Sequence, residues 1–155
     1  MNHAFSMKDL GLLSQFLGIE IAQSQHGIKF HQFEYALYLL NKFSMKYFKP
    51  IKTPFLSGVK LEEAQSTPSV NNTLYRKLVG CFLYLTHTWP DISYVMSVEY
   101  RHMYHPHEIH WREEKIILHF VQGTRTHRIH DVAKSDLELI GFTDSDWEGY
   151  NNDRK

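Results

Sequence analysis

The sequence predicts an α+β fold: a β-hairpin and one helix, then a three-helix bundle, then a terminal β-strand. Two observations carry this reading. Apolar residues alternate at period two near both ends of the chain, as a half-buried strand requires, and recur at helical spacing in four stretches between them. Pro50, Pro54, Pro68, Pro90 and Pro106 fall between those stretches, where they delimit elements without interrupting them.

Leu13 to His31 reads as the hairpin. Leu17, Ile19 and Ile21 alternate with Gly18 and Glu20, the segment from Ser24 to Gly27 supplies the turn, and Ile28 and Phe30 resume the alternation. From Phe33 to Phe43 the period lengthens, placing Phe33, Ala36, Leu37, Leu40 and Phe43 on one helical face. Pro50 and Pro54 bracket a short extended piece, and Leu56 to Asn72, rich in Ser, Glu, Gln, Asn and Thr, reads as a linker. Asn72 or Thr73 is placed to cap the next helix, whose apolar positions are Leu74, Leu78, Cys81, Phe82 and Leu85. Pro90 ends that helix and opens another, with Ile92, Val95, Met96 and Met103 apolar. Pro106 breaks it. The last helix runs from about His107 to Gln122, with Ile109, Ile116, Phe120 and Val121 inward and Gly123 closing it. Thr124 to Ser135 is a polar, basic connector. Leu137, Leu139, Ile140 and Phe142 then form the terminal strand, which ends at Asp144 and Asp146.

Composition narrows the function. A chain of 155 residues, 43% hydrophobic and 14% aromatic, has enough apolar content for a folded core. Its formal net charge is zero, so bulk electrostatics make no case for nucleic-acid or membrane binding, although eleven histidines render it cationic near pH 6. The single cysteine, Cys81, forbids an internal disulfide and fits a reducing compartment. No apolar run reaches the ~20 residues of a membrane span. The first twenty residues lack the continuous apolar stretch of a signal peptide, so an intracellular location, cytoplasmic or nuclear, is the default expectation. Carboxylates at a strand end, such as Asp144, are a common way to hold a divalent cation. His102, His105, His107 and His110 offer imidazoles for a metal as well, but Pro106 breaks the helical register between them, and surface histidines are the simpler reading.

Several motifs, in order, resemble the Pol polyprotein of copia-type LTR retrotransposons. They are Met7 to Gly11 (Met-Lys-Asp-Leu-Gly) with Phe16 to Glu20 (Phe-Leu-Gly-Ile-Glu), Tyr75 to Gly80 (Tyr-Arg-Lys-Leu-Val-Gly), Tyr84 to Thr86, Pro90 to Ile92, and Gly141 to Trp147 (Gly-Phe-Thr-Asp-Ser-Asp-Trp). His110-Trp111, Gly123-Thr124 and the trailing Asp153 to Lys155 also fit. The match covers nearly the whole chain, and the shared order makes it specific.

The resemblance implies the C-terminal part of a reverse transcriptase. Residues 1–55 would be the end of the palm with a primer-grip-like hairpin, 56–72 a linker, 73–123 a helical thumb, 124–135 a connector, and 136–155 a truncated start of a ribonuclease H domain. It implies that Leu17 and Gly18 approach the primer backbone, with glycine permitting close contact. It implies phosphate contacts at Arg76 and Lys77, which would position a duplex without reading its sequence. Asp144 would be a vestigial ribonuclease H carboxylate, and hence an incomplete metal position. The parent enzyme would use Mg²⁺, with no tight binding expected here, and its partners would be an RNA–DNA or DNA duplex and the rest of the Pol polyprotein. A mitochondrially encoded copy is compatible with the family. No Tyr-x-Asp-Asp turn, which in the family carries polymerase carboxylates, occurs in these residues, so the chain alone is expected to be inactive. Trp89 stands where the family favours arginine. The alternatives are a non-catalytic nucleic-acid-binding remnant, or a factor adopted for host or pathogen protein contacts.

Overall fold

A computed structural model describes residues 11–55, 66–133 and 141. The α+β class holds, and the elements run β1 (Gln15–Phe16), β2 (Ile19–Ser24), β3 (Gly27–His31), α1 (Phe33–Lys42), α2 (Asn72–Leu85), α3 (Ser93–Glu99), α4 (Glu108–Gly123) and β4 (Ile129–Val132). Short 3-10 turns flank α3 at Pro90–Ile92 and Tyr100–His102.

The four strands form one antiparallel sheet in the order β1-β2-β3-β4. The expected single hairpin is two consecutive ones. Ser24 pairs with Gly27 across the second turn, much as the sequence predicts, but Phe16 pairs with Ile19 across a two-residue turn at Leu17-Gly18. Both of those residues have positive φ (49° and 81°), as a type I′ hairpin turn demands. Leu17 therefore belongs to a turn and not to the alternating strand. A second correction concerns the connector: Ile129–Val132, within 124–135, is the strand that joins the sheet, pairing Ile129 with Phe30 and Val132 with Gly27. The strand expected at Leu137 to Phe142 lies outside the described residues, apart from Gly141.

The helices appear where apolar periodicity places them, with shifted faces. α1 buries Ala36, Leu39 and Leu40, so Leu39 is inward where Leu37 was expected to be fully so. Glu20 on β2 accepts from the Glu34 N–H (3.1 Å), which satisfies a free donor at the start of α1 and fastens sheet to helix. At the other end Ser44 takes a left-handed conformation (φ 57°), and the Met45 N–H reaches back to Leu40 O (2.7 Å) in a Schellman-type closure. The cap of α2 is Asn71, whose side chain accepts from Leu74 N (2.9 Å), one residue before the expected pair. Leu74 is consequently outward, and Tyr75, Leu78, Val79, Phe82 and Leu85 are inward.

One hydrophobic core joins Ala36, Leu39, Leu40 and Met45 to Tyr75, Leu78, Phe82, Trp89, Ile92, Met96, Ile117 and Val121. Trp89 is wholly buried, and its indole N–H donates to Thr124 Oγ1 (3.0 Å), which itself donates to Phe120 O (2.9 Å). Trp89 is thus a core side chain that pins the α2–α3 corner to the end of α4. Gln32, also fully buried, accepts from Thr88 (2.8 Å) and ties the start of α1 to that corner.

Candidate nucleic-acid interface

The outward face of α2 and the first hairpin turn meet at Tyr84. Its hydroxyl donates to Leu17 O (2.5 Å), and a Cβ on Gly18 would collide with that same hydroxyl. The missing side chain of Gly18 is therefore used by Tyr84, which leaves Leu17, 77% exposed, at the tip of the turn. A leucine held at positive φ and projecting into solvent is a strained, unusual arrangement. Tyr84 is braced in turn by Tyr35, whose ring meets it edge-on at 4.6 Å, and by Gln32, which donates to Tyr84 O (3.3 Å).

Along α2 away from this junction lie Gly80, then Lys77 and Arg76, all exposed. The Arg76 Nε–H donates to Met103 O (2.9 Å), which anchors the guanidinium against the turn after α3. Gly80 has nothing within 4 Å of where a Cβ would stand. A glycine in a helix interior costs about 1 kcal/mol relative to alanine, and no packing inside the described residues accounts for it. Sequence reasoning did not single out Gly80 as a contact residue, yet an interior helical glycine is a legible signal.

Leu17, Gly18, Arg76 and Lys77 are thereby placed on two linked elements, with Gly18 turned toward protein. Asp144, together with Asp146 and Trp147, lies outside the described residues. Among the described residues no group of three or more His, Cys, Asp or Glu side chains is arranged to hold a metal ion. The histidine-rich segment is organised by packing and hydrogen bonds. His102 and His110 stack with centroids 4.0 Å apart, His107 Nδ1–H donates to Thr67 O (2.7 Å), and the His107 N–H donates to His110 Nδ1 (3.0 Å).

Behind α2 lies a group of acids the periodicity missed. Glu99 and Glu114 are fully buried and Glu113 almost so. The Tyr75 hydroxyl donates to Glu99 Oε2 (2.7 Å). Burial pushes the Glu99 carboxyl up to about 8, the Tyr75 hydrogen bond opposing the shift and nearby Glu113 adding to it. Burial, then Glu99 and Glu113, raises Glu114 well above the ordinary carboxylate range. Burial therefore favours the neutral acid at Glu99 and Glu114. On α4 they occupy inward positions expected for Ile109 and Ile116, which are only partly buried.

α2 thus presents an open face at Gly80 flanked by Arg76 and Lys77, with the Leu17-Gly18 turn fastened at its end by Tyr84. A family model for reverse transcriptase (RNA-dependent DNA polymerase) matches residues 1–57. An uncharacterized mitochondrial protein of Arabidopsis thaliana is 36% identical over the whole chain, which covers 64% of that protein. Retrovirus-related Pol polyproteins from the Arabidopsis transposons RE2 and RE1 are 34% and 36% identical over 99% of this chain, which corresponds to 10% of each. The chain thus spans less than two thirds of the length of these relatives. No solved structure matches it. The chain is homologous to the C-terminal reverse-transcriptase part of copia-type Pol polyproteins. Among the described residues no helix is long and apolar enough to cross a membrane.

Proposed function

We propose that this chain is the duplex-handling part of a retrotransposon reverse transcriptase, and that by itself it grips nucleic acid without catalysing nucleotide transfer or strand cleavage. The observation that carries the reading is the bare face of α2 at Gly80, set between the cations of Arg76 and Lys77 and the Leu17-Gly18 turn that Tyr84 holds in place. A backbone glycine lets a sugar–phosphate strand come closer than any side chain would. The flanking cations supply charge for phosphates, and phosphate contacts fix position without reading sequence. The exposed Leu17 would rest against the sugar edge at the end of that track. In the parent enzyme RNA-directed DNA synthesis would use Mg²⁺ held by carboxylates outside this region, and Asp144 would be a remnant of a ribonuclease H site.

Fluorescence anisotropy with a short RNA–DNA hybrid tests this. Binding should weaken with salt, and Arg76→Ala/Lys77→Ala should flatten the log K against log salt slope by about 2. Gly80→Ala should weaken duplex binding without loss of fold. Duplex affinity indifferent to all three substitutions would sink the proposal, as would primer extension by the purified chain.

A further inference from the structure

We infer that the loop closing α1, from Lys42 to Lys52, is a second nucleic-acid contact, a platform on which a single-stranded segment lays its bases against Tyr47 and Phe48 and its phosphates against the lysines. The first ground is charge. The chain is neutral as a whole, yet between Glu34 and Glu62 it has no acidic residue, and Lys42, Lys46, Lys49 and Lys52 all fall within this stretch. The second is exposure. Tyr47 is 91% and Phe48 52% exposed in the same loop, and Tyr38 one helical turn before Lys42 is 52% exposed.

The third ground is rigidity, which separates a platform from a floppy loop. Ser44 and Met45 close the helix end in the left-handed turn already described. Gln122 on α4 donates to Lys46 O (2.7 Å), His119 Nδ1–H donates to Lys49 O (2.7 Å), and the Ile51 N–H reaches His119 O (3.4 Å). The backbone is thus lashed to α4 by its polar groups while Tyr47 stays exposed and Phe48, its ring edge-on to His119 at 5.6 Å, keeps about half its surface open. Ordering entropy that binding would otherwise cost is already spent in folding.

The pattern also selects the ligand. Lys42 Nζ lies 5.2 Å from the Tyr38 ring centre and Lys46 Nζ 5.6 Å from that of Tyr47, so cations stand within reach of any phosphate whose base meets those rings. Base faces are open in a single strand and occupied in a duplex, and stacking on aromatic rings is how such strands are held without sequence preference. A carboxylate-rich peptide would use the lysines but gain nothing from Tyr47 and Phe48. This inference draws on the proposed duplex-handling role only in favouring nucleic acid among polyanions.

The test uses the full chain, labelled oligothymidylate, the RNA–DNA hybrid and polyglutamate. Tyr47→Ala/Phe48→Ala, and Tyr47→Ser as a milder variant, should weaken oligothymidylate binding roughly tenfold or more with little change in salt slope. Lys46→Ala/Lys49→Ala should flatten the slope by about 1.4. Arg76→Ala/Lys77→Ala should spare oligothymidylate and weaken only the hybrid. Single-strand binding without hybrid binding by the unmodified chain would overturn the α2 reading and leave this one standing. No oligothymidylate binding, binding indifferent to ring removal in variants with native thermal melts, or equal affinity for polyglutamate would overturn the platform.

Discussion

Trp89 and Glu99 show what single residues do in this fold. Trp89 occupies a fully enclosed site with its one polar atom matched to Thr124, so Trp89→Arg buries a cation with no charged acceptor provided for it. The expected loss is about 3–5 kcal/mol, read from urea unfolding. For Glu99 the sign follows from its carboxyl being raised from 4.5 to about 8 by burial. The native state binds the proton more tightly than the unfolded chain. Its contribution is complete below the unfolded value and is lost as pH rises toward 8, at about 1.4 kcal/mol per pH unit. Unfolding free energies measured at pH 5, 7 and 8.5 should fall in that order, and Glu99→Gln should flatten the fall. An unchanged pH dependence in that variant would mean that Glu99 ionises freely in the native protein.

At the scale of elements, the join between sheet and bundle depends on few groups. Tyr84 links α2 to the first hairpin turn, and Glu20 links β2 to the start of α1. Tyr84→Phe keeps the ring against Tyr35 but removes the bond to Leu17 O, at a cost of about 0.5–1.5 kcal/mol. Its sharper effect should be local: amide exchange at residues 15–20 should quicken while α2 and α4 stay protected, because the turn loses the hydrogen bond that ties it to the helix. Uniform exchange across the chain would contradict that division. The same substitution should weaken hybrid binding if the turn contributes to the grip.

Across the whole molecule, α1 and the later helices share one core, so their stabilities are coupled. Leu78, fully buried on α2, touches that shared interior. Leu78→Ala should cost about 2–5 kcal/mol, a large part of the ~5–15 kcal/mol of a typical domain. Tryptophan fluorescence and far-ultraviolet circular dichroism should still report one coincident transition. Two separated transitions would show that the strand-and-helix half and the bundle fold apart.

Periodicity and proline placement determined the fold class, the four helices and their approximate limits, because a helix face and a strand face have different repeats that burial must match. Leu17, Gly18, Arg76 and Lys77 were marked only through the motifs that resemble the family. Which turn Leu17 and Gly18 make was not legible, since the two-residue hairpin depends on Tyr84 from a helix far along the chain. Nor was β4, whose short polar segment becomes a strand only because β3 offers an unpaired edge. The buried acids failed the simple rule that charge faces water: Glu99, Glu113 and Glu114 lie inward, and that burial favours the neutral acid at Glu99 and Glu114. Local pattern speaks for the energy of one segment against solvent. Packing between distant segments decides the rest, because contact energy depends on what arrives from elsewhere in the chain.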